Sequence, residues 1–144
     1  MTAPNQLILA DAQWLSDNLR RNQLVMHLFW LRSDALSDTA FKTLDYEKRR
    51  AYELRNGCGC IGGWMLWRHG FDMDKFVTRH TDPAFIMTGE MANRWKVPCR
   101  DVHKLFHPWD RSPDGDPNPY WPDPNYTGYK EEAVEAMRRF AATL

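Results

Sequence analysis

The sequence has few cysteines, and its longest run without a charged residue is short. Three of its 144 residues are cysteine, and Cys58 and Cys60 are separated by one residue. An odd number at this spacing argues against a disulfide framework and is typical of a reducing, cytoplasmic setting. The longest uncharged run, Asn56–Trp67, has 12 residues, whereas a helix needs roughly 20 apolar residues to span a bilayer. We therefore expect a cytoplasmic protein without a membrane span.

The chain also lacks an excess of charge of either sign. Lys and Arg together number 19, Asp and Glu also number 19, and the formal net charge is zero. Nucleic-acid-binding modules are typically basic, because their affinity depends on neutralising phosphates. Residues 108–144 carry four basic and seven acidic side chains, so this segment would repel phosphate. We therefore expect no nucleic-acid partner.

What the sequence does have is a large share of aromatic residues. It contains 7 Trp, 5 Tyr and 7 Phe, and 43% of the chain is apolar. A chain of this length ordinarily folds around one core, so we expect residues 1–144 to form a single globular domain. Aromatic side chains dominate both cores and interfaces, and this surplus leaves rings available for binding.

The spacing of apolar residues predicts a mainly α fold of short helices with at most a small β element. Asp11, Asp82 and Thr127 are predicted to be helix N-caps, and Phe85 is expected on the apolar face of its helix. The segment Leu24–Leu31 favours a strand because of its Val, Phe and Trp content. The predicted helices are Asp11–Asn22, Ser37–Asn56, Cys60–His69, Asp82–Val97, Cys99–His107 and Thr127–Leu144.

Two adjacent glycines lie inside the predicted helix Cys60–His69. Gly62 and Gly63 each lower helix stability by about 1 kcal/mol relative to Ala. A helix tolerates such a pair where another backbone must pass close to it. We therefore expect a close backbone approach at these glycines inside the core, with Cys60 and Trp64 buried beside them.

The segment Gly59–Trp64, with the sequence Gly-Cys-Ile-Gly-Gly-Trp, resembles a motif of small uncharacterised bacterial and phage proteins. In those proteins a Cys-Ile/Leu-Ala/Gly-Gly-Trp/His element opens a helix. An Ala-x-x-Leu-Phe-x-Pro-like segment and a final helix introduced by Thr follow, and Val102–Pro108 and Thr127–Leu144 occupy those places here. The similarity covers residues 56–144, while residues 33–55 and the Trp-rich loop depart from it. It implies a small helical fold in a bacterial cytosolic or mobile-element setting, and it supplies no catalytic residue.

Cys99, His103 and His107 fall at positions i, i+4 and i+8, along one slowly drifting helix face. Zinc takes four such ligands in a tetrahedron, and Cys58 or Cys60 could supply the fourth. However, Cys-x-Cys is not the usual ligand spacing. The alternative, which we favour, is that Cys60 and Cys99 are small core residues and the histidines line the surface. We expect no bound metal and no cofactor.

Residues Pro108–Tyr126 are predicted to form a long loop rich in proline, aspartate and aromatic residues before the last helix. Six of the nine prolines lie within residues 108–124, which excludes regular structure. Such a loop lies at the surface, where rings on a stiff segment anchor a partner well. The alternative is that the rings fold back over the core. We expect this segment and the adjoining helix Cys99–His107 to form the main partner surface. The candidate binding residues are the anchors Trp109, Tyr120 and Trp121 and the charged rim Asp114, Asp116 and Asp123.

The sequence shows no catalytic constellation, and it predicts a small non-enzymatic protein-binding module. An acidic, aromatic surface suits a basic patch on a protein partner, and the resemblance points to a phage or mobile-element factor that inhibits or recruits a host protein. If the loop rings are buried, the exposed face of the helix Ser37–Asn56 is the next candidate surface. The alternative function is a small metal-binding or thiol-dependent protein built on Cys60, Cys99 and the nearby histidines.

Overall fold

The computed structural model describes residues 2–32, 36–79, 83–111 and 114–144. Most of the described residues are helical, and the one sheet in these ranges is antiparallel with two strands. These proportions confirm the mainly α fold with a small β element. No described helix combines the length and apolar composition that a membrane crossing requires. The elements are α1 (Pro4–Asn18), β1 (Trp30–Arg32), α2 (Asp38–Thr43), α3 (Tyr46–Asn56), β2 (Gly57–Gly59), α4 (Ile61–Arg68), α5 (Met73–Arg79), α6 (Pro83–Trp95), α7 (Cys99–Phe106) and α8 (Lys130–Ala142).

Helix α4 lies at the centre of the core. All of its residues over Ile61–Trp67 are buried, so this part of the helix has no solvent-facing side. The indole Nε1 of Trp64 donates a hydrogen bond of 2.7 Å to the carbonyl oxygen of Gln23. Its ring packs against Trp14 of α1 and Trp30 of β1, with ring centroids 6.3 and 4.9 Å away. Aromatic pairs at such distances add to the stabilisation from burial.

Two glycines allow neighbouring segments to approach α4. A Cβ atom added at Gly63 would overlap the backbone carbonyl oxygen of Phe29, just before β1, and one at Gly62 would overlap the side chain of Met87 on α6. Cys60 is buried, and its Sγ accepts a hydrogen bond of 3.4 Å from the Gly63 amide as the N-cap of α4. The predicted close approach inside the core is therefore confirmed.

The sheet is shorter than the strand predicted over Leu24–Leu31. Leu24 forms one isolated parallel bridge with Gly59, and the regular strand β1 begins only at Trp30. Trp30 of β1 pairs with Gly59 of β2. Carbons of the Trp30 ring lie close to where Cβ atoms of Gly57 and Gly59 would be, so these glycines leave room for the indole.

The predicted helix Ser37–Asn56 is wrong as one continuous element, because it is divided into α2 and α3. Leu44 has an extended backbone and ends α2. The side chain of Asp45 accepts a hydrogen bond of 2.8 Å from the Lys48 amide, so Asp45 is the N-cap of α3. Helix α5 was not predicted, and Asp82, the predicted cap before α6, lies outside the described residues.

Asp11 is buried in the middle of α1, which begins at Pro4. Its carboxylate accepts hydrogen bonds from the Trp95 indole at 2.7 Å and from Arg68 Nη1 at 2.5 Å, and His69 Nε2 lies 3.1 Å away. A buried charge is tolerated when it is paired and hydrogen-bonded. The prediction of Asp11 as an N-cap is wrong, and the residue instead joins α1, α4 and α6.

Helix α8 packs along α1 and closes the core. Lys130 Nζ donates hydrogen bonds of 2.8 and 3.3 Å to the carbonyl oxygens of Leu19 and Ser16 at the end of α1. Tyr129 is the N-cap residue of α8, so the prediction of Thr127 as the cap is wrong. The amide and hydroxyl of Thr127 donate instead to the carboxylate of Glu132.

We expect Gly63→Ala to destabilise the protein, because the new methyl group overlaps a backbone carbonyl that has no rotamer by which to move away. Overpacking of this kind costs about 1–3 kcal/mol. Gly89 in α6 is the control, because no atom lies within 4 Å of the position its Cβ would take. Gly89→Ala should stabilise the protein by about 0.5–1 kcal/mol. Urea unfolding measures both changes, and equal effects at the two sites would contradict the close approach.

Candidate functional site

Two of the three predicted anchor rings lie in the core. Tyr120 is 6% exposed and Trp121 is 2% exposed. The Tyr120 ring meets Phe140 of α8 edge-on at 5.0 Å between centroids, and Trp121 Nε1 donates a hydrogen bond of 2.8 Å to the carbonyl oxygen of Leu105. The prediction that these two rings are exposed anchors is therefore wrong. For both of them the alternative is correct, because they fold back over the helices.

Asn118 explains why this part of the loop folds inward. It is buried, and its Nδ2 donates to the carbonyl oxygens of Lys104 and His107 at 2.8 and 3.1 Å. Its Oδ1 accepts a hydrogen bond of 3.0 Å from the Tyr120 amide. The side chain thus satisfies carbonyl groups at the end of α7 that have no partner within the helix. An asparagine between two prolines is typical of a turn, so this role could not be predicted from the sequence.

Trp109 lies in a different environment from the other two rings. It is 51% exposed, as predicted, and it meets the ring of His107 edge-on at a centroid distance of 5.1 Å. The His107 ring in turn stacks on His103 of α7 at 4.0 Å. An exposed indole therefore continues the surface of α7 beyond its C-terminal end. The predicted rim residues Asp114, Asp116 and Asp123 are exposed as well.

A groove between α6 and α7 lies next to these stacked rings. Its volume is about 350 Å³, at the lower end of the range of roughly 300–1,000 Å³ typical of ligand sites. Phe85 in the first turn of α6 lines the groove and is 74% exposed, so the expectation that it packs into the core is wrong. The described residues that line the groove are Phe85, Thr88, Gly89, Cys99, Arg100, His103 and His107.

The polar lining of this groove is not acidic. Arg100 supplies a cation and the two histidines supply ring nitrogens, and none of the described lining residues is a carboxylate. None of the three predicted rim aspartates lines the groove. Asp123 lines another cavity together with three glutamates of α8, Glu131, Glu132 and Glu135. Sequence reasoning placed the helix Cys99–His107 in the partner surface but missed the α6 side of the groove. Phe85 fits the apolar periodicity of α6, and only the packing shows that it is exposed.

The three cysteines do not share a site. Cys60 is buried, as predicted, Cys58 is half-buried, and Cys99 is exposed at the groove. The prediction that Cys99 is a core residue is therefore wrong. Burial raises the pKa of the Cys60 thiol and of the Cys58 thiol, whereas a nucleophilic cysteine needs a lowered pKa. Among the described residues, no three His, Cys, Asp or Glu side chains converge in a way that could hold a metal ion. Cys99 therefore lines the groove with His103 and His107 without forming a metal-binding cluster with them.

We expect Trp121→Ala to destabilise the protein strongly and Trp109→Ala to have little effect on stability. Removing a buried Trp side chain costs about 3–5 kcal/mol, while a substitution at an exposed position stays within about 0.5 kcal/mol. Denaturant unfolding followed by circular dichroism measures both values. If the two variants were equally stable, the inward folding of residues 118–121 would be refuted.

Comparison with known proteins adds no evidence about the groove, so its assignment as a site depends on its geometry. Scans of the chain against protein-family models, curated proteins and solved structures each returned no significant match. The resemblance of Gly59–Trp64 to small bacterial and phage proteins stays a prediction.

Proposed function

We propose that this chain is a non-enzymatic protein-binding module and that the groove between α6 and α7 is its recognition surface. The observation that carries the proposal is the exposure of two large rings at this place. Phe85 lines the groove at 74% exposure, and Trp109 is 51% exposed against the ring of His107, which also lines it. Large exposed apolar groups in one patch mark interaction sites, and aromatic rings are the residues most often found as interface anchors.

The partner that fits this groove presents an apolar side chain with a carboxylate beside it. The apolar side chain would pack between Phe85 and the stacked histidines. The carboxylate would pair with Arg100, whose guanidinium offers several fixed donors to such a group. A basic partner segment fits less well, because no acidic side chain among the described residues lines the groove and the nearby carboxylate of Asp110 already lies 3.5 Å from His103 Nε2.

The sequence-based expectation of a basic partner applies to a different surface. Asp123 and the glutamates of α8 line a cavity that a basic patch would complement. Trp121 is buried beside that cavity, so this residue offers no exposed ring as an anchor. A patch of charge by itself contributes more to association rate than to affinity. We therefore assign recognition to the groove and make binding of basic segments an outcome of the test.

The setting that we propose is the one that the sequence predicts. A cytoplasmic protein of a bacterium or phage that inhibits or recruits a host protein needs binding without catalysis. The three free thiols support a reducing compartment. The identity of the host protein would follow from the peptides that the groove selects.

A displayed random-peptide library tests the proposal. We expect the wild-type protein to enrich peptides in which a large apolar residue lies next to Asp or Glu. Phe85→Ala and Trp109→Ala should each weaken binding of the selected peptides about tenfold or more, as loss of an interface anchor does. Arg100→Gln should weaken peptides with the carboxylate and leave those with an amide in its place unchanged.

Leu31→Ala is the matched control, because Leu31 is an apolar side chain of β1 with 52% exposure that does not line the groove. This variant should bind the selected peptides as the wild type does. Enrichment of basic peptides that bind Phe85→Ala and Trp109→Ala normally would assign recognition to the acidic surface of α8 and overturn the proposal.

A further inference from the structure

A second cavity lies between α2, α3 and the start of α5. It has a volume of about 230 Å³, whereas an apolar cavity of about 150 Å³ accommodates benzene. The space therefore suits one ring with one small polar group. The described residues that line this cleft are Phe41, Lys42, Tyr46, Arg49, Arg50, Glu53, Phe71, Asp72, Asp74 and Lys75.

Two of the three carboxylates in the cleft are already bound by the protein. Asp72 Oδ1 accepts a hydrogen bond of 3.1 Å from the Lys75 amide at the start of α5. Asp74 Oδ2 lies 3.6 Å from Arg32 Nη1 in an ion pair. These interactions hold α5 in place, and they leave both groups less able to bind a ligand.

The cations of the cleft also differ in whether the protein supplies them with a partner. The guanidinium of Arg50 stacks on the Trp67 ring at 3.6 Å, and its Nη1 donates a hydrogen bond of 2.6 Å to the Trp67 carbonyl oxygen. Arg49, one residue earlier on α3, has a buried Nε with no hydrogen-bond partner among the described residues. Within the same part of the chain Lys42 forms no ion pair. An unpaired buried donor is costly, and Arg49 lines the cleft, so a bound acceptor towards which the guanidinium turns would remove that cost.

Glu53 is the third carboxyl group, and it is 8% exposed. Among the described residues, no cation lies within ion-pair distance of it. Burial raises the pKa of Glu53, and the nearby charge of Asp74 raises it further, while Trp67, Arg50 and Arg32 act in the opposite direction. A neutral Glu53 carries an O–H group that donates a hydrogen bond. The residues that line the cleft thus include two that can donate a hydrogen bond to an anionic group, Arg49 through its guanidinium and Glu53 through its neutral carboxyl.

We propose that this cleft binds a small organic anion, in which a carboxylate or phosphate group is attached to an apolar body about the size of one ring. The anionic group accepts hydrogen bonds from Arg49 and from protonated Glu53. The body packs among the rings of Phe41, Tyr46 and Phe71. This site is separate from the groove between α6 and α7, and its proposal does not depend on the proposed binding of proteins.

An organic cation fits the cleft less well, although aromatic rings and a buried carboxyl can also hold one. Lys42, Arg49, Arg50 and Lys75 all line the cleft and would repel it. These four cations outnumber the two aspartates of the cleft, and Asp74 is in addition paired with Arg32. The excess of cations and the unpaired donor of Arg49 therefore favour an anionic ligand over a cationic one.

Isothermal titration calorimetry of the full chain with four probes tests the proposal. Benzoate and phenyl phosphate carry the two anionic groups on the same ring, benzamide is the uncharged analogue, and inorganic phosphate lacks the ring. We expect benzoate or phenyl phosphate to bind saturably, and the better of the two identifies the anionic group. Benzamide and inorganic phosphate should each bind about tenfold more weakly or worse, because benzamide lacks the anionic group and inorganic phosphate lacks the ring.

Arg49→Gln should weaken the better anion about tenfold or more, since it removes a charge-assisted hydrogen bond. Arg138→Gln is the matched control, because Arg138 is a surface cation on α8 paired with Glu135 at 2.7 Å and does not line the cleft. It should bind the anion as the wild type does. Circular dichroism and thermal unfolding of both variants verify that each is folded before titration.

The pH dependence tests the role of Glu53 separately. Because burial raises the pKa of Glu53, its carboxyl is neutral below that raised pKa and donates to the anion, and above it the charged carboxylate repels the anion. The benzoate affinity of the wild type should therefore fall as pH rises through this range. Of the described residues that line the cleft, none is a histidine. Glu53→Gln keeps a neutral donor at every pH and should show a flat profile.

Three results would overturn the proposal. The first is the absence of saturable binding for both aromatic anions, and the second is benzamide binding as tightly as benzoate. The third is unchanged anion affinity in folded Arg49→Gln. Parallel pH profiles for the wild type and Glu53→Gln would exclude Glu53 as a donor to the anion.

Discussion

Helix α4 is buried on every side, and the arrangement of the other elements follows from this constraint. Its residues over Ile61–Trp67 form an apolar run, and their exposure to water would be strongly unfavourable. The chain therefore surrounds the helix with α1, the sheet, α3 and α6. Gly62 and Gly63 make this possible, because they let the Met87 side chain and the Phe29 backbone lie where side chains of α4 would otherwise project.

Both candidate binding surfaces belong to elements that α4 holds in place. Helix α6 is fixed by Met87 against Gly62 and by the hydrogen bond from Trp95 to Asp11, and its first turn carries the exposed Phe85 of the groove. Helix α3 is fixed by Arg50 on the Trp67 ring, and it carries the charged groups of the anion cleft. The surfaces are thus built on packed helices, which position side chains more accurately than loops do.

The buried polar groups of the protein fall into two classes. Asp11, Gln23 and Asn118 have hydrogen-bond partners on other elements, and a fully satisfied buried group stabilises one specific arrangement. The Asp11 carboxylate beside His69 resembles an orienting pair, but Trp95 and Arg68 already occupy it, so its role is to join helices. Arg49 Nε lacks such a partner, and a buried group left unsatisfied needs a separate explanation. Ligand binding provides one for Arg49.

The sequence by itself determined the helical class, the small sheet and the burial of the Gly62-Gly63 turn of α4. These features depend on local periodicity and on the steric freedom of glycine, which are properties of neighbouring residues. Tertiary packing decided which rings are exposed. Tyr120 and Trp121 occur in a proline-rich loop as Trp109 does, but the contacts of Asn118 and Trp121 with α7 and of Tyr120 with Phe140 hold the first two in the core. Likewise the charge pattern of α3 gave no sign that Glu53 is buried, because burial depends on elements that are distant in sequence and are brought together only by the fold.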